Sequence, residues 1–225
     1  MPVRRHYFIN SAVFISALVI IAIFVVPSQY RLMLVMGWYL ALLLIGLSYY
    51  KSYQKVLTQI KMYDGDEDYQ AVIKYLEEVS KRGYNSFVFD SYGIYAHYML
   101  GEFTAYEKLA AKMSQSRTWK RPKFESFRSK VADNLACIAF LRKWAETGQL
   151  NYQGRNVLII QSIADYQENN QKAILARIEN YPEQPLLKRA CLFALSGKFE
   201  WLDGLYKSKE ANTIFEKIRE REIHG

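Results

Sequence analysis

The sequence predicts an all-α protein, with an N-terminal membrane hairpin followed by a helical soluble domain. Two apolar runs contain no charged residue, the 24 positions from Tyr7 to Tyr30 and the 19 positions from Leu32 to Tyr50. Beyond them, apolar residues recur at steps of three and four, which is the pattern of one face of a helix. Strand-like patterns have no partners elsewhere in the chain, so we expect helices throughout.

Both apolar runs are long enough to cross a bilayer as helices. At about 1.5 Å per residue they reach roughly 36 and 28 Å, against a hydrocarbon core of about 30 Å. We place the spans at about residues 7–27 and 32–50, with a turn at Pro27–Arg31 between them. Such segments are helical because lipid offers the backbone no hydrogen-bond partners.

Small residues recur four positions apart in each span. The pairs are Ala12 with Ser16, and Gly37 with Ala41. This spacing predicts a close approach of the two helices, although such pairs also arise by chance in apolar segments.

Positive charges are placed asymmetrically around the spans. Arg4 and Arg5 precede the first span, three lysines follow the second, and only Arg31 lies in the turn. Because flanks rich in Lys and Arg stay in the cytoplasm, we expect a two-span protein of the cell membrane with both termini cytoplasmic. A cleaved signal peptide is the competing interpretation of residues 1–28, but the run is long and a second span follows at once.

We therefore divide the chain into three parts: the membrane hairpin at 1–50, a juxtamembrane helix and linker at 51–65, and a cytoplasmic helical domain at 66–225. All 22 acidic residues follow position 50, where 27 Lys and Arg outnumber them by five. This mild positive charge suits a negative membrane leaflet. It is too small to argue for nucleic acid.

Helical periodicity divides the soluble part into helices with short connections. The second span is expected to continue as a helix to Tyr63. The further helices are predicted at 67–82, 87–100, 103–115, 123–147, 156–166, 171–180, 185–195, 199–207 and 211–222. A polar, basic linker, Ser116–Pro122, precedes the longest of them. Residues 157–160 have strand propensity, but we favour a helix because no partner strand exists.

A sequence pattern recurs at 34 residues. Asp68–Lys74 and Glu102–Lys108 share an acid, an aromatic, an alanine and a lysine in register, and Leu100–Phe103 is matched again by Ser196–Phe199. This is the tetratricopeptide period, and Tyr95–Met113 resembles the end of that family's helix A, its glycine turn and its helix B. The resemblance implies stacked helical hairpins (TPR-like) with a groove that binds a peptide segment. A generic helical bundle with an accidental period is the alternative.

The sequence contains no recognisable catalytic constellation. Its three histidines are widely separated, and neither a Walker-type loop nor a dinucleotide-binding glycine motif is present. Cys137 and Cys191 lie in apolar helical patterns, so we expect both to be reduced and buried. We predict no enzyme activity, no metal and no cofactor.

A basic stretch with interleaved aromatics is the strongest local charge feature. Its cations are Arg117, Lys120, Arg121, Lys123, Arg128 and Lys130, opposed only by Glu125. Anionic lipid headgroups or an acidic protein partner are possible occupants. Nucleic acid, stacked on the aromatics, is disfavoured. The alternative is a solvated loop followed by an amphipathic helix.

A second candidate site lies on the helix predicted at 87–100. By the tetratricopeptide resemblance this is a helix A, and Asp90, Tyr95 and His97 would face the groove that binds a peptide. The alternative is that its tyrosines are ordinary core and rim residues.

These observations lead to two functional hypotheses of different classes. The first is a membrane-anchored scaffold or adaptor of bacterial type, which recruits a protein partner at the cytoplasmic face of the bilayer. The second is an accessory or regulatory subunit of a membrane enzyme, transporter or secretion complex, with the hairpin making the main contacts.

Overall fold

The computed structural model describes residues 5–82, 86–180 and 185–224. Within these ranges the chain forms ten α-helices and no strand, which confirms the all-α prediction. The helices are α1 (Arg5–Val25), α2 (Ser28–Gly65), α3 (Tyr69–Lys81), α4 (Phe87–Leu100), α5 (Phe103–Ser114), α6 (Glu125–Thr147), α7 (Val157–Gln167), α8 (Gln171–Asn180), α9 (Leu186–Leu195) and α10 (Lys209–His224). They belong to two compact units, Met1–Gly93 and Ile94–Gly225.

In the first unit, α1 and α2 pack against each other through one face of each helix. Half-buried residues recur at helical spacing on that face, and large apolar residues on the remaining faces are exposed, up to 81% at Phe24. The half-buried positions are Ser11, Ala12, Ile15, Ser16, Val19, Ala22 and Ile23 in α1, and Leu34, Val35, Trp38, Ala41, Leu42, Ile45 and Tyr49 in α2. The pair therefore forms a helical hairpin whose outer surface is apolar.

Of the four small residues predicted to lie between the two helices, three lie at the contact and one does not. Ala12, Ser16 and Ala41 lie on the contact faces, and the Trp38 indole N–H donates to the Ser16 hydroxyl at 3.1 Å. Gly37 lies on the exposed side of α2, with open space where a Cβ would stand. Its predicted role in this helix contact is therefore wrong.

One helix of the described chain is long and apolar enough to cross a membrane. It is α2, whereas the apolar part of α1, Ile9–Val25, is shorter. The structure thus supports one membrane-crossing helix, and the second span stays a prediction. The turn is also shorter than expected, because α2 already begins at Ser28, directly after Pro27.

We expect Ser16→Ala to weaken the hairpin by about 1 kcal/mol, since hydrogen bonds between helices in lipid or micelles are worth roughly that much. Energy transfer between dyes at Ile9→Cys and Leu47→Cys, followed during SDS titration, measures the separation of the helices. Ser48→Ala is the matched control, because Ser48 is exposed. Equal midpoints for the two variants would show that the Trp38 hydrogen bond contributes nothing.

Helix α2 continues beyond the apolar run as one unbroken helix to Gly65, as predicted for the juxtamembrane stretch. Its last turns bury Val56 and Ile60, and α3 packs against it with Val72 and Val79 buried. At about 1.5 Å per residue, the 38 residues of α2 reach roughly 57 Å. Helix α3 therefore packs against the end of one continuous helix that includes the apolar run.

Four helix ends share one turn geometry. In each, a residue with positive φ is followed by a residue whose N–H bonds to the carbonyl five positions earlier, which is the Schellman arrangement. The bonds are Asp68 to Tyr63, Glu102 to His97, Asn170 to Asp165 and Lys198 to Phe193, and the positive-φ residues are Glu67, Gly101, Asn169 and Gly197. The next helical segment begins directly afterwards in every case, so each turn is a tight corner between consecutive helical segments.

The second unit is organised around α9. This helix packs against α6, α7, α8 and α10. Seven of its ten residues are buried, from Leu187 to Leu195, because a helix surrounded on all sides has no polar face. The helix predicted at 199–207 is wrong: only a short 3₁₀ turn, Phe199–Trp201, forms there. Gly204 adopts φ +74°, which no right-handed helix contains.

Candidate interaction surface

The basic stretch begins in the link between α5 and α6, residues 115–124, which we call the connector. It is a series of tight turns: the Arg121 N–H bonds to the Thr118 carbonyl at 3.2 Å, and the Phe124 N–H bonds to the Arg121 carbonyl at 3.1 Å. The Ser116 hydroxyl accepts the Trp119 N–H at 3.1 Å. These local bonds gather the cations of the connector into a compact surface.

Arg128 holds the connector together. Its guanidinium reaches back from α6 and donates to the carbonyls of Trp119, at 2.5 Å, and Arg121, at 3.0 Å. Trp119 is half-buried, and its ring packs edge-on against Phe127 with centroids 5.8 Å apart. The side chain of Arg128 is therefore occupied within the fold, unlike those of the other cations in the predicted set.

The remaining five cations point into solvent. Arg117, Lys120, Arg121, Lys123 and Lys130 are all exposed, and none has an ion pair among the described residues. Lys123 lies over the Phe124 ring at 5.1 Å. Some other cations of the second unit are matched by carboxylates, as in Arg177 with Asp165 and Lys188 with Asp133. The connector surface therefore carries positive charge that the fold leaves unopposed.

We expect Arg128→Ala to loosen the connector, because two backbone carbonyls lose their charged donor. Limited digestion of the full-length protein with trypsin reports this directly, since the connector contains three cleavable cations, Arg117, Lys120 and Lys123; Arg121 precedes Pro122 and resists trypsin. Cleavage within 117–123 should accelerate about tenfold. This corresponds to a decrease of about 1.4 kcal/mol in the free energy of locally opening the connector. Lys130→Ala is the control, because it also removes an α6 cation, but an exposed and unpaired one. Equal cleavage rates in the two variants would contradict this role.

The second predicted site lies on α4, which passes from one compact unit into the other. Asp90 is half-buried in the first unit, and it has interaction partners there. In the second unit, Tyr95 is 44% exposed and its ring stacks on that of Tyr98 at 6.3 Å. His97 is half-buried, with its Nδ1 2.7 Å from a Glu102 carboxylate oxygen. Tyr95 and His97 are two positions apart on α4, so the tyrosine ring and the histidine–carboxylate pair leave different faces of the helix.

Tyr98, by contrast, belongs to the core. Its hydroxyl accepts the Leu187 N–H at 3.1 Å, at the start of α9. Burial raises the pKa of Tyr98 to about 12, against a smaller lowering effect of the Leu187 hydrogen bond. This tyrosine fixes the position of α4 against α9, so Tyr95 is presented from a rigid helix.

Sequence reasoning missed a polar network that joins three helices. Arg142 of α6 lies 2.6 Å from carboxylate oxygens of both Glu107 in α5 and Glu210 in α10. Glu210 also accepts the Thr104 N–H at the start of α5, at 3.1 Å, and the Thr104 hydroxyl at 2.7 Å. Because its members are up to 106 residues apart, no local sequence pattern could have revealed it.

A second missed feature is an open cleft of about 830 Å³ beside the C-terminal end of α6. Arg221 donates to the carbonyls of Ala145 and Glu146, which end that helix. Glu222 accepts hydrogen bonds from the Tyr166 hydroxyl and, at 3.2 Å, from the Trp144 indole N–H. These polar groups are satisfied within the fold, and they fasten α10 to α6 and α7.

Cys137 and Cys191 are free and fully buried, as the sequence predicted. Burial raises the pKa of the Cys191 thiol well above its ordinary value, which disfavours the nucleophilic thiolate. In the part of the chain that the structure describes, no three His, Cys, Asp or Glu residues group as metal ligands would.

The comparisons with known proteins found no matching family model, no matching curated protein and no matching solved structure.

Proposed function

We propose that this chain is a membrane-anchored scaffold or adaptor, which recruits a protein partner at the cytoplasmic face of the bilayer. The observation that carries the proposal is the helical hairpin of α1 and α2. It buries one face of each helix in mutual contact and leaves large apolar residues exposed on the others. Exposed apolar surface of this extent is unfavourable in water and is stable in lipid.

In this proposal α1 is the second span of the anchor, beside α2. The apolar part of α1, Ile9–Val25, reaches roughly 26 Å at 1.5 Å per residue, a little less than the thickness of the hydrocarbon core. It packs along α2, so the lipid environment of one helix extends to the other. With Arg4 and Arg5 before α1 and lysines after the apolar part of α2, both termini lie on the cytoplasmic side.

The recruiting surface in this proposal is the exposed part of α4 in the second unit. Tyr95 offers an exposed aromatic ring on a rigid helix, and the polar pair of His97 and Glu102 lies within the same short segment of chain. Aromatic side chains that are both exposed and held in place contribute strongly to protein–protein contacts. The tetratricopeptide-like repeat supports the same assignment, because helices A of that family line a groove that binds peptides.

Site-specific photocrosslinking in native membranes tests recruitment. A photoreactive amino acid at Tyr95 should give a discrete crosslinked species, and one at the exposed Arg155 should not. His97→Ala should reduce the yield at Tyr95 if the partner contacts the histidine–glutamate pair. If position 95 gives no species beyond those at position 155, this surface recruits nothing and the adaptor function fails.

A second candidate, an accessory subunit of a membrane enzyme, transporter or secretion complex, is favoured by the continuity of α2. Because the apolar run and the juxtamembrane stretch are one helix, the membrane segment is mechanically joined to α3. Replacing residues 7–50 with an unrelated two-span hairpin of the same length separates the candidates. Crosslinking at Tyr95 should survive the exchange in an adaptor and disappear in a subunit that is recognised through its spans.

A further inference from the structure

We propose that the connector binds the anionic phospholipid surface of the membrane through Arg117, Lys120, Arg121 and Lys123. The inference deepens the proposed function, since it rests on the hairpin anchor, and it assigns a ligand to a surface other than the one proposed to recruit protein. Its starting point is the exposed, unpaired state of these four cations, which lie within seven consecutive residues of the chain.

The connector carries exposed positive charge, but its backbone and aromatic groups are engaged within the fold. Its turns are closed by local hydrogen bonds, and the guanidinium of Arg128 donates to the carbonyls of Trp119 and Arg121. Trp119 packs inward against Phe127. A peptide partner is recognised by pockets and directed hydrogen bonds, whereas a phospholipid surface is a diffuse array of negative headgroups that needs only concentrated positive charge.

The inward packing of Trp119 also disfavours single-stranded nucleic acid. That ligand is held by aromatic rings on which its bases stack, and this half-buried ring is engaged with Phe127. Lys123, which lies over the Phe124 ring, covers a second aromatic face. An anionic bilayer is therefore the ligand that best fits the exposed groups.

The anchor makes weak binding sufficient. Each cation near an anionic surface strengthens association by about fivefold, so four cations together give an affinity that is low for a free protein. A domain fixed to the same bilayer meets the headgroups at an effective concentration in the millimolar range. Under these conditions the connector is bound for much of the time, and binding should weaken at high salt because its charges are exposed.

Lysine labelling of the full-length protein in lipid nanodiscs tests the inference. The rates at which an amine-reactive ester modifies Lys120 and Lys123 are compared between discs of phosphatidylcholine alone and discs with about three-tenths phosphatidylserine. We expect both rates to fall at least about threefold in the anionic discs and to recover in about 0.5 M salt. Lys172, which is exposed elsewhere in the same unit, serves as the internal reference and should change little.

Two variants keep the reporting lysines and change the charge around them. Arg117→Gln with Arg121→Gln should abolish most of the protection, whereas Arg155→Gln with Lys207→Gln, which removes two exposed cations elsewhere, should leave it intact. Equal labelling in neutral and anionic discs would overturn the inference, as would protection that survives loss of both connector arginines. Because incorporation into neutral discs depends on the hairpin alone, failure of this inference is distinguishable from failure of the anchor, and the Tyr95 crosslink reports recruitment separately.

Discussion

Gly101→Ala should lower the free energy of unfolding by roughly 3 kcal/mol. Gly101 has φ +78°, a conformation that costs a residue with a Cβ about 1 kcal/mol or more. A Cβ at this position would also lie 2.7 Å from Cδ1 of Tyr206 and 2.9 Å from the Cβ of Ala211. Both neighbours are buried, and overpacking of this kind typically costs a further 1–3 kcal/mol.

Gly204→Ala is the matched control for this prediction. Gly204 has nearly the same backbone conformation, φ +74°, but nothing lies within 4 Å of the position of its Cβ. It should therefore lose only the backbone contribution of about 1 kcal/mol. Thermal unfolding of the full-length chain in detergent, followed by near-ultraviolet circular dichroism, compares the two. Similar losses in both variants would show that α4 does not pack closely against Tyr206 and α10.

Arg142→Ala should destabilise the second unit by about 2 kcal/mol, because hydrogen bonds to charged groups are the stronger ones in proteins. The change removes the shared partner of Glu107 and Glu210 and leaves their carboxylates close together without a cation. The side chains are about a third exposed, so solvent screening keeps the loss below that of a buried ion pair. Arg155→Ala, at an exposed arginine, should change stability by less than about 0.5 kcal/mol.

The same network predicts a pH dependence. Burial alone would raise the pKa of Glu210, but hydrogen bonds from Thr104 and Arg142 outweigh burial and hold this pKa below its ordinary value of 4.5. A carboxylate whose pKa is lowered by folding contributes its full stabilisation when the pH is above its ordinary, unfolded-state pKa. This stabilisation is lost as the pH falls through the lowered pKa of the folded state. Between pH 7 and pH 3, the free energy of unfolding should therefore fall more steeply in the unchanged protein than in Arg142→Ala. Parallel curves would contradict the role of Arg142.

Helix positions were largely predictable, because they depend on local patterns. The acid–aromatic pairs on which the 34-residue repeat was based, Asp68–Tyr69 and Glu102–Phe103, both lie at the start of a helix. Asp68 and Glu102 each occupy the position directly before a helix, with φ of −86° and −83° and ψ of 71° and 70°. The repeat thus corresponds to recurring corners between helices, which sequence spacing reports well. The stacking of the hairpins in the manner of tetratricopeptide proteins stays a prediction.

Long-range polar contacts were not predictable from one sequence. Arg142, Glu107 and Glu210 resemble ordinary surface charges when read along the chain, and only the packing of α5, α6 and α10 brings them together. Arg128 is the reverse case, since the sequence grouped it with its basic neighbours. Its side chain instead closes the connector through backbone carbonyls, a geometry that residue type alone does not specify.

We propose that the α1–α2 hairpin spans the membrane and that the second unit lies on its cytoplasmic side. Cysteine labelling in intact cells with a membrane-impermeant maleimide tests it most directly, because the native cysteines are fully buried. Ser28→Cys, at the start of α2, should be labelled from outside, whereas Lys207→Cys, on the second unit, should react only after the cells are permeabilised. Labelling of Lys207→Cys in intact cells, or of neither position before permeabilisation, would contradict the claim.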